Sequence, residues 1–168
     1  PGQYSFEAIK VCSMEGMPSR AAVFHLGHAA TYMFACGPER KVFMDARLET
    51  HSEEMLRRYM ELQREIETTQ NYQSALDRYG IDVVVAGTEQ NTGIQAALLN
   101  SSYWQCVHWD PVAAVFLRAT VPIPKGLHVV DFRDDFTPGA DLTDPARTGG
   151  LIKLTQSLLS RPDTPSKT

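Results

Sequence analysis

The chain has 168 residues, 43% of them hydrophobic, and a formal net charge of -4 spread over interspersed acids and bases. That is enough apolar material to bury a substantial core in one domain, and the mixed charge leaves no basic footprint for nucleic acid or an anionic membrane. Cys12, Cys36 and Cys106 are too few and too scattered for a disulfide scaffold and contain no CxxC pair for zinc; the odd count leaves at least one free thiol and the compartment open.

The apolar runs in DVVVAG and VAAVFL are four and six residues long, far short of the roughly 20 that cross a bilayer. The chain begins at Pro1 with no charged segment leading into an apolar one, so no signal peptide is read in it, and a chain cut from something longer is expected.

In chain order, residues 4–17 carry Phe6, Ala8, Ile9, Val11, Cys12 and Met14, a pattern for a short helix, before GMPSR breaks it. AAVFHLG then predicts a strand ending at Gly27. HAATYMFACGP places Ala29, Tyr32, Met33 and Cys36 at helical spacing and stops at Gly37-Pro38. KVFMDAR is a second strand. Thr50 stands three residues before Glu53, a capping-box spacing, and Met55, Tyr59, Leu62 and Ile66 make the apolar stripe of the best helix, with Leu56 and Met60 beside it. Its other face, with Arg57 and Glu61 four apart, reads as solvated.

YQSALDRYG is a further helix ended by Gly80, and the consecutive valines of IDVVVAG suit a strand buried on both faces. NTGIQAALLN is a helix behind Thr92. WQCVHWD and VAAVFLRA, joined by Asp-Pro, form an antiparallel hairpin. The alternation predicts an α/β fold: a three-layer, mostly parallel, Rossmann-like sheet with an antiparallel edge hairpin, spanning residues 1–119. Residues 120–168, rich in Pro, Gly and Asp around LHVVDF, are expected to form an extended, partly irregular segment ending in a short helix at LIKLTQSLL.

Four clusters invite a chemical reading. His25 and His28 have the spacing of a helical metal pair, but the strand assignment of His25 and the intervening Gly27 leave them as structural histidines, and no metal site is expected. Cys106, His108 and Asp110 alternate on one predicted strand face; residues two apart there lie about 7 Å from each other, beyond the reach of a thiol-imidazole pair. Val107 and Trp109 are then the core residues of the opposite face. The loop in VVVAGTEQNTGI lies where helix N-termini meet phosphates, yet it has neither GxGxxG nor the Gly-Lys-Ser/Thr of a P-loop.

In KVFMDARLETHSEE, Asp45 and Arg47 close a strand, where they cap backbone or bridge to the loop after Gly87, while Glu49 and His51 precede a helix start that favours acids. Ligands of open α/β sheets bind at strand carboxyl ends, so a binding site, if present, draws on Asp45, Arg47, Gly87, Thr88 and Glu89. No catalytic residue and no cofactor are expected.

GHAATYMFACGPERKVFMDARLETHSEE, LDRYGIDVVVAG and WQCVHWDPVAAVFLR together resemble the C-terminal soluble portion of large multi-pass bacterial membrane proteins of planctomycete type, similar in outline to lipid-linked-sugar-dependent glycosyltransferases. Lys41, Val42, Phe43, Asp45 and Arg47 match a Lys-Val-Phe-Ile-Asp-Gly-Arg pattern, while Ala46 replaces its Gly and Ala29-Ala30 stand where a Gly-Gly pair is expected. The resemblance spans residues 18–119. It implies a noncatalytic domain on the extracytoplasmic, periplasmic side of a polytopic protein whose sugar-transfer chemistry lies in its membrane-embedded part. Its partners would be that remainder of the polypeptide and a glycan, lipid-linked sugar or envelope protein. The competing reading is a small soluble α/β enzyme or nucleotide-type binding domain using the strand ends near Asp45 and Gly87.

Overall fold

A computed structural model describes residues 5–44, 52–69, 72–88 and 90–132. In order they form α1 (Phe6–Ser13), β1 (Arg20–Phe24), α2 (Leu26–Cys36), β2 (Lys41–Val42), α3 (Glu53–Thr68), α4 (Tyr72–Arg78), β3 (Val83–Gly87), α5 (Thr92–Leu99), β4 (Trp104–Trp109) and β5 (Ala113–Arg118). The fold is α/β around one mixed sheet of order β2-β1-β3-β5-β4.

β1 pairs in parallel with β2 and β3, whereas β5 runs antiparallel to both β3 and β4. The hairpin therefore enters the sheet through its second strand. β5 is the one strand of reversed direction, one place in from the edge, and the edge strand β4 again points the common way. A two-residue β2 closes the other edge, with Phe43 N still donating to Ala21 O at 2.8 Å; the end of KVFMDAR, from Asp45, lies outside the described residues.

The alternation of side chains along β1, β3 and β5 sorts two apolar clusters onto the two sheet faces. Phe24, Val84, Ala86 and Phe116 pack with Tyr59, Leu62 and Ile66 of α3, Leu76 of α4 and Ile94 and Leu98 of α5. On the opposite face Val23, Val83, Val85, Val115 and Leu117 pack with Ile9 and Cys12 of α1 and Ala29, Tyr32 and Cys36 of α2. Every residue of β3 is buried, as its run of valines predicts for a strand covered on both faces.

Helix boundaries follow local hydrogen bonding. Ser52 is the N-cap of α3, its Oγ accepting from Met55 N at 3.2 Å, while Thr50 lies outside the described residues; an ion pair on the solvent face joins Glu54 to Arg58. Tyr59, Leu62 and Ile66 are buried as the stripe predicts, while Met60 stays exposed. β1 ends at Phe24 rather than Gly27, since Gly27 is already helical in α2. Gly80 ends α4 at a φ of +60°, a conformation that favours glycine.

Two cationic side chains pin helices to their surroundings. Arg40 donates to the carbonyl oxygens of Cys12 and, at 2.6 Å, of Met14, satisfying carbonyls at the end of α1. Arg118 reaches from β5 to Asp82 Oδ1 at 2.7 Å, Asp77 Oδ1 at 2.6 Å and the Ile81 carbonyl at 2.5 Å, with its guanidinium 5.2 Å from the centre of the Trp104 ring. After β5 the chain returns past the sheet edge, where Val130 N donates to Cys106 O at 2.8 Å and Phe132 stacks edge-on to Trp109.

Candidate functional site

β1 and β3 lie side by side and parallel, yet the chain leaves them in opposite directions: from β1 through α2 to β2, and from β3 through α5 to the hairpin. Such a divergence of connections is where open α/β sheets leave a crevice at the carboxyl ends of their strands. The structure brings His25 from β1, Gly87 and Thr88 from β3, and the Asp110-Pro111-Val112 turn of the hairpin to this end.

At β3 the polar groups are already engaged. Gly87 N donates to Asn91 Oδ1 at 2.9 Å, and Gly87 O accepts from Gln95 Nε2 at 2.6 Å and from Asn91 N at 3.0 Å. Asn91 and Gln95 are 4% and 1% exposed, buried amides whose cost is met by these bonds. Asn91 occupies the N-cap position of α5, but its side chain reaches back to the strand and caps no amide of the helix. Thr88 is buried, donating through Oγ1 to Pro111 O and through its amide to Val112 O at 3.0 Å. Gly87 and Thr88 are thus held by Asn91 and Gln95 and by the hairpin turn.

The turn is clamped by Asp110. Its Oδ1 accepts from Val112 N at 2.7 Å and Ala113 N at 2.8 Å, and its Oδ2 lies 2.9 Å from His108 Nε2. Burial by itself raises this carboxyl's pKa, but the hydrogen bonds from His108, Ala113 and Val112 outweigh it and hold the group below the ordinary aspartate value.

Cys106, His108 and Asp110 do not share a face, in contrast to strict alternation. A bulge shifts the register so that Cys106 lies opposite Phe116 and His108 opposite Val115. Residues paired across strands project to one side; Cys106 therefore joins the cluster of Phe116, while His108 falls on the side of Val115 with Val107. Trp109, expected beside Val107, packs instead on the Cys106 face. The Cys106 thiol donates to His108 O at 3.2 Å and burial pushes its pKa up to about 12, so it is protonated and inert near neutrality.

His25 sits past the end of β1 as the N-cap of α2, its Nδ1 accepting from His28 N at 3.3 Å, with the two rings 4.2 Å apart. This acceptor role places the proton of the neutral imidazole on Nε2. Among the described residues, no group of three or more His, Cys, Asp and Glu side chains comes together in a way that could hold a metal ion, and no helix is long and apolar enough to cross a membrane.

Of the five residues predicted to form a binding site, Gly87 and Thr88 stand at the crevice, while Asp45, Arg47 and Glu89 lie outside the described residues, as do Glu49 and His51. Sequence reasoning missed Asn91 and Gln95, whose signal is two amides four apart in an otherwise apolar helix, and it missed the convergence of the hairpin turn on Thr88. The chain matches no protein-family model, no curated protein and no solved structure.

Proposed function

We propose that this chain is a noncatalytic binding or interaction domain on the extracytoplasmic side of a larger polytopic membrane protein related to lipid-linked-sugar-dependent glycosyltransferases. We read its architecture as a three-layer, Rossmann-like sandwich that serves as a scaffold. The observation that carries the noncatalytic part is the engagement of Gly87, Thr88, Asn91, Gln95 and Asp110 with one another and with the hairpin turn. These are the strand-end groups that an α/β enzyme would aim at a substrate. The thiols do not substitute for them, since burial raises the pKa of all three.

The membrane context rests on the resemblance, and its three quoted segments take in α2 with β2, the end of α4 with β3, and β4 with β5, which together supply four strands of the sheet. A framework whose strand-end groups are engaged with one another fits a domain whose partner is met on its surface: the membrane-embedded remainder of the polypeptide, a glycan or an envelope protein. The test is fractionation of the full-length protein from its native cells, followed by protease treatment from the outer face and detection with an antibody to this domain. Membrane retention with cleavage from outside is expected. Recovery in the cytosol would overturn the reading and favour the competing one, a ligand-binding α/β domain using the crevice between β1 and β3, which the divergent connections at that point support.

A further inference from the structure

α1 and α2 pack against each other on one face of the sheet, and their contact holds two of the three cysteines. Cys12 is 1% exposed and Cys36 6%, and both belong to the same buried cluster as Ile9, Ala29 and Tyr32. Cys36 Sγ lies 4.0 Å from the carbonyl oxygen of Ile9, which is three residues before Cys12 and so on the same face of α1. Arg40 ties the two helix ends together: its guanidinium donates to the Cys12 carbonyl and its backbone amide donates to the Cys36 carbonyl at 3.3 Å. Both are free, buried thiols in the structure, and burial raises the pKa of each. Cys106 belongs to the cluster on the other side of the sheet.

We infer that Cys12 and Cys36 are a latent disulfide pair that cross-links α1 to α2 when the chain folds in the presence of a disulfide oxidant. The chemistry is two successive exchanges with a small-molecule disulfide such as oxidised glutathione. The thiolate of one cysteine attacks the oxidant, releasing one glutathione thiolate and leaving a mixed disulfide. The thiolate of the other then attacks the protein sulfur, releasing the second glutathione. The protein dithiol loses two electrons, the oxidant gains them, and the two thiol protons pass to the glutathione products. Burial keeps both thiols protonated in the docked pair, so closure belongs to folding, before α1 settles on the sheet. The cross-link does not depend on the membrane reading, because it is read from the α1-α2 contact alone; a domain on an oxidising side of a membrane would carry it closed.

The experiment is refolding of the reduced, denatured chain in a glutathione redox buffer, then alkylation of the remaining thiols in denaturant and peptide mapping by mass spectrometry. Expected are one alkylated cysteine, Cys106, a mass lower by two hydrogens before alkylation, and a single linked peptide pair containing Cys12 and Cys36. Cys106→Ala should leave the link intact, Cys36→Ala should abolish it, and the oxidised chain should melt at a higher temperature than the reduced one. Three alkylatable thiols in chain that has refolded, or the three possible pairings in comparable amounts, would overturn the inference. Failure of the fractionation test with success here would remove the membrane reading and leave the dithiol standing.

Discussion

Replacing Asn91 by alanine removes a side-chain acceptor bonded to the buried Gly87 amide. The site separates this effect from others. The Gly87 carbonyl keeps its bonds from Gln95 Nε2 and the backbone of residue 91, and no capping bond is lost, because the Asn91 side chain caps no amide of α5. What remains is the loss of one buried side-chain hydrogen bond to the Gly87 amide, at about 0.5–1.5 kcal/mol, plus a small void; we expect about 2 kcal/mol in total. For a domain of this size each kcal/mol lowers Tm by about 3 °C, so Asn91→Ala should melt about 6 °C below the parent. Asn91→Asp restores an acceptor oxygen at a helix N-terminus, where negative charge is tolerated, and should stay within about 1 kcal/mol of the parent. Asn100→Ala, which removes an exposed amide from the end of the same helix, should cost less than about 0.5 kcal/mol. Urea unfolding followed by circular dichroism reads all three as shifts in midpoint at constant slope. An Asn91→Ala midpoint indistinguishable from the parent's, or Asn91→Asp as damaging as Asn91→Ala, would refute the assignment of this side chain to the Gly87 amide.

Two further outcomes follow from the polar clamps. Arg118→Ala breaks the bonds to Asp82, Asp77 and the Ile81 carbonyl; with the carboxylates partly exposed and their share reduced by solvent, the loss should be about 2 kcal/mol, checked by urea unfolding. The Trp104 emission should also shift, since the guanidinium lies over its ring. Asp110 gives a pH dependence. A carboxyl held below its unfolded value of about 3.9 contributes stability that is fully present above that pH and is lost as pH falls through the lower folded value. Thermal melts below about pH 5 should show this acid loss in the parent and a flatter profile in Asp110→Asn; an unchanged acid profile in the variant would count against the clamp.

Much of the framework is legible in short-range pattern. The valines of β3 and the i, i+4 stripe of α3 declare themselves because burial on both faces and burial on one helical stripe leave different periodicities. The helix start at α3 is less legible: the Thr50–Glu53 spacing suggests an earlier start, whereas the N-cap position falls at Ser52, whose Oγ accepts from Met55 N. Gly27 looks like a terminator, yet it lies in the first turn of α2, where the cap is the imidazole of His25.

The candidate site was half visible. Gly87 and Thr88 follow from the rule that ligands meet parallel strands at their carboxyl ends, but nothing local to them says that Asn91 and Gln95 fold back onto Gly87 or that Thr88 bonds to Pro111, 23 residues onward. The Cys106-His108-Asp110 alternation fails for a related reason. A bulge is a mismatch between two strands, so the face a residue takes past it depends on the partner's register rather than on its own position.

By itself, then, the order of residues determined the α/β class, the identity of the buried strands and the pairing of β4 with β5, since each rests on periodicity or on a short connection. Only the tertiary structure decided that β5 rather than β4 joins β3, that the strand-end polar groups bond to one another, and that Cys12 and Cys36 meet at the α1-α2 contact. Those facts are contacts between segments far apart in the chain, and a contact between distant segments is set by the packing of the whole sheet and its helices.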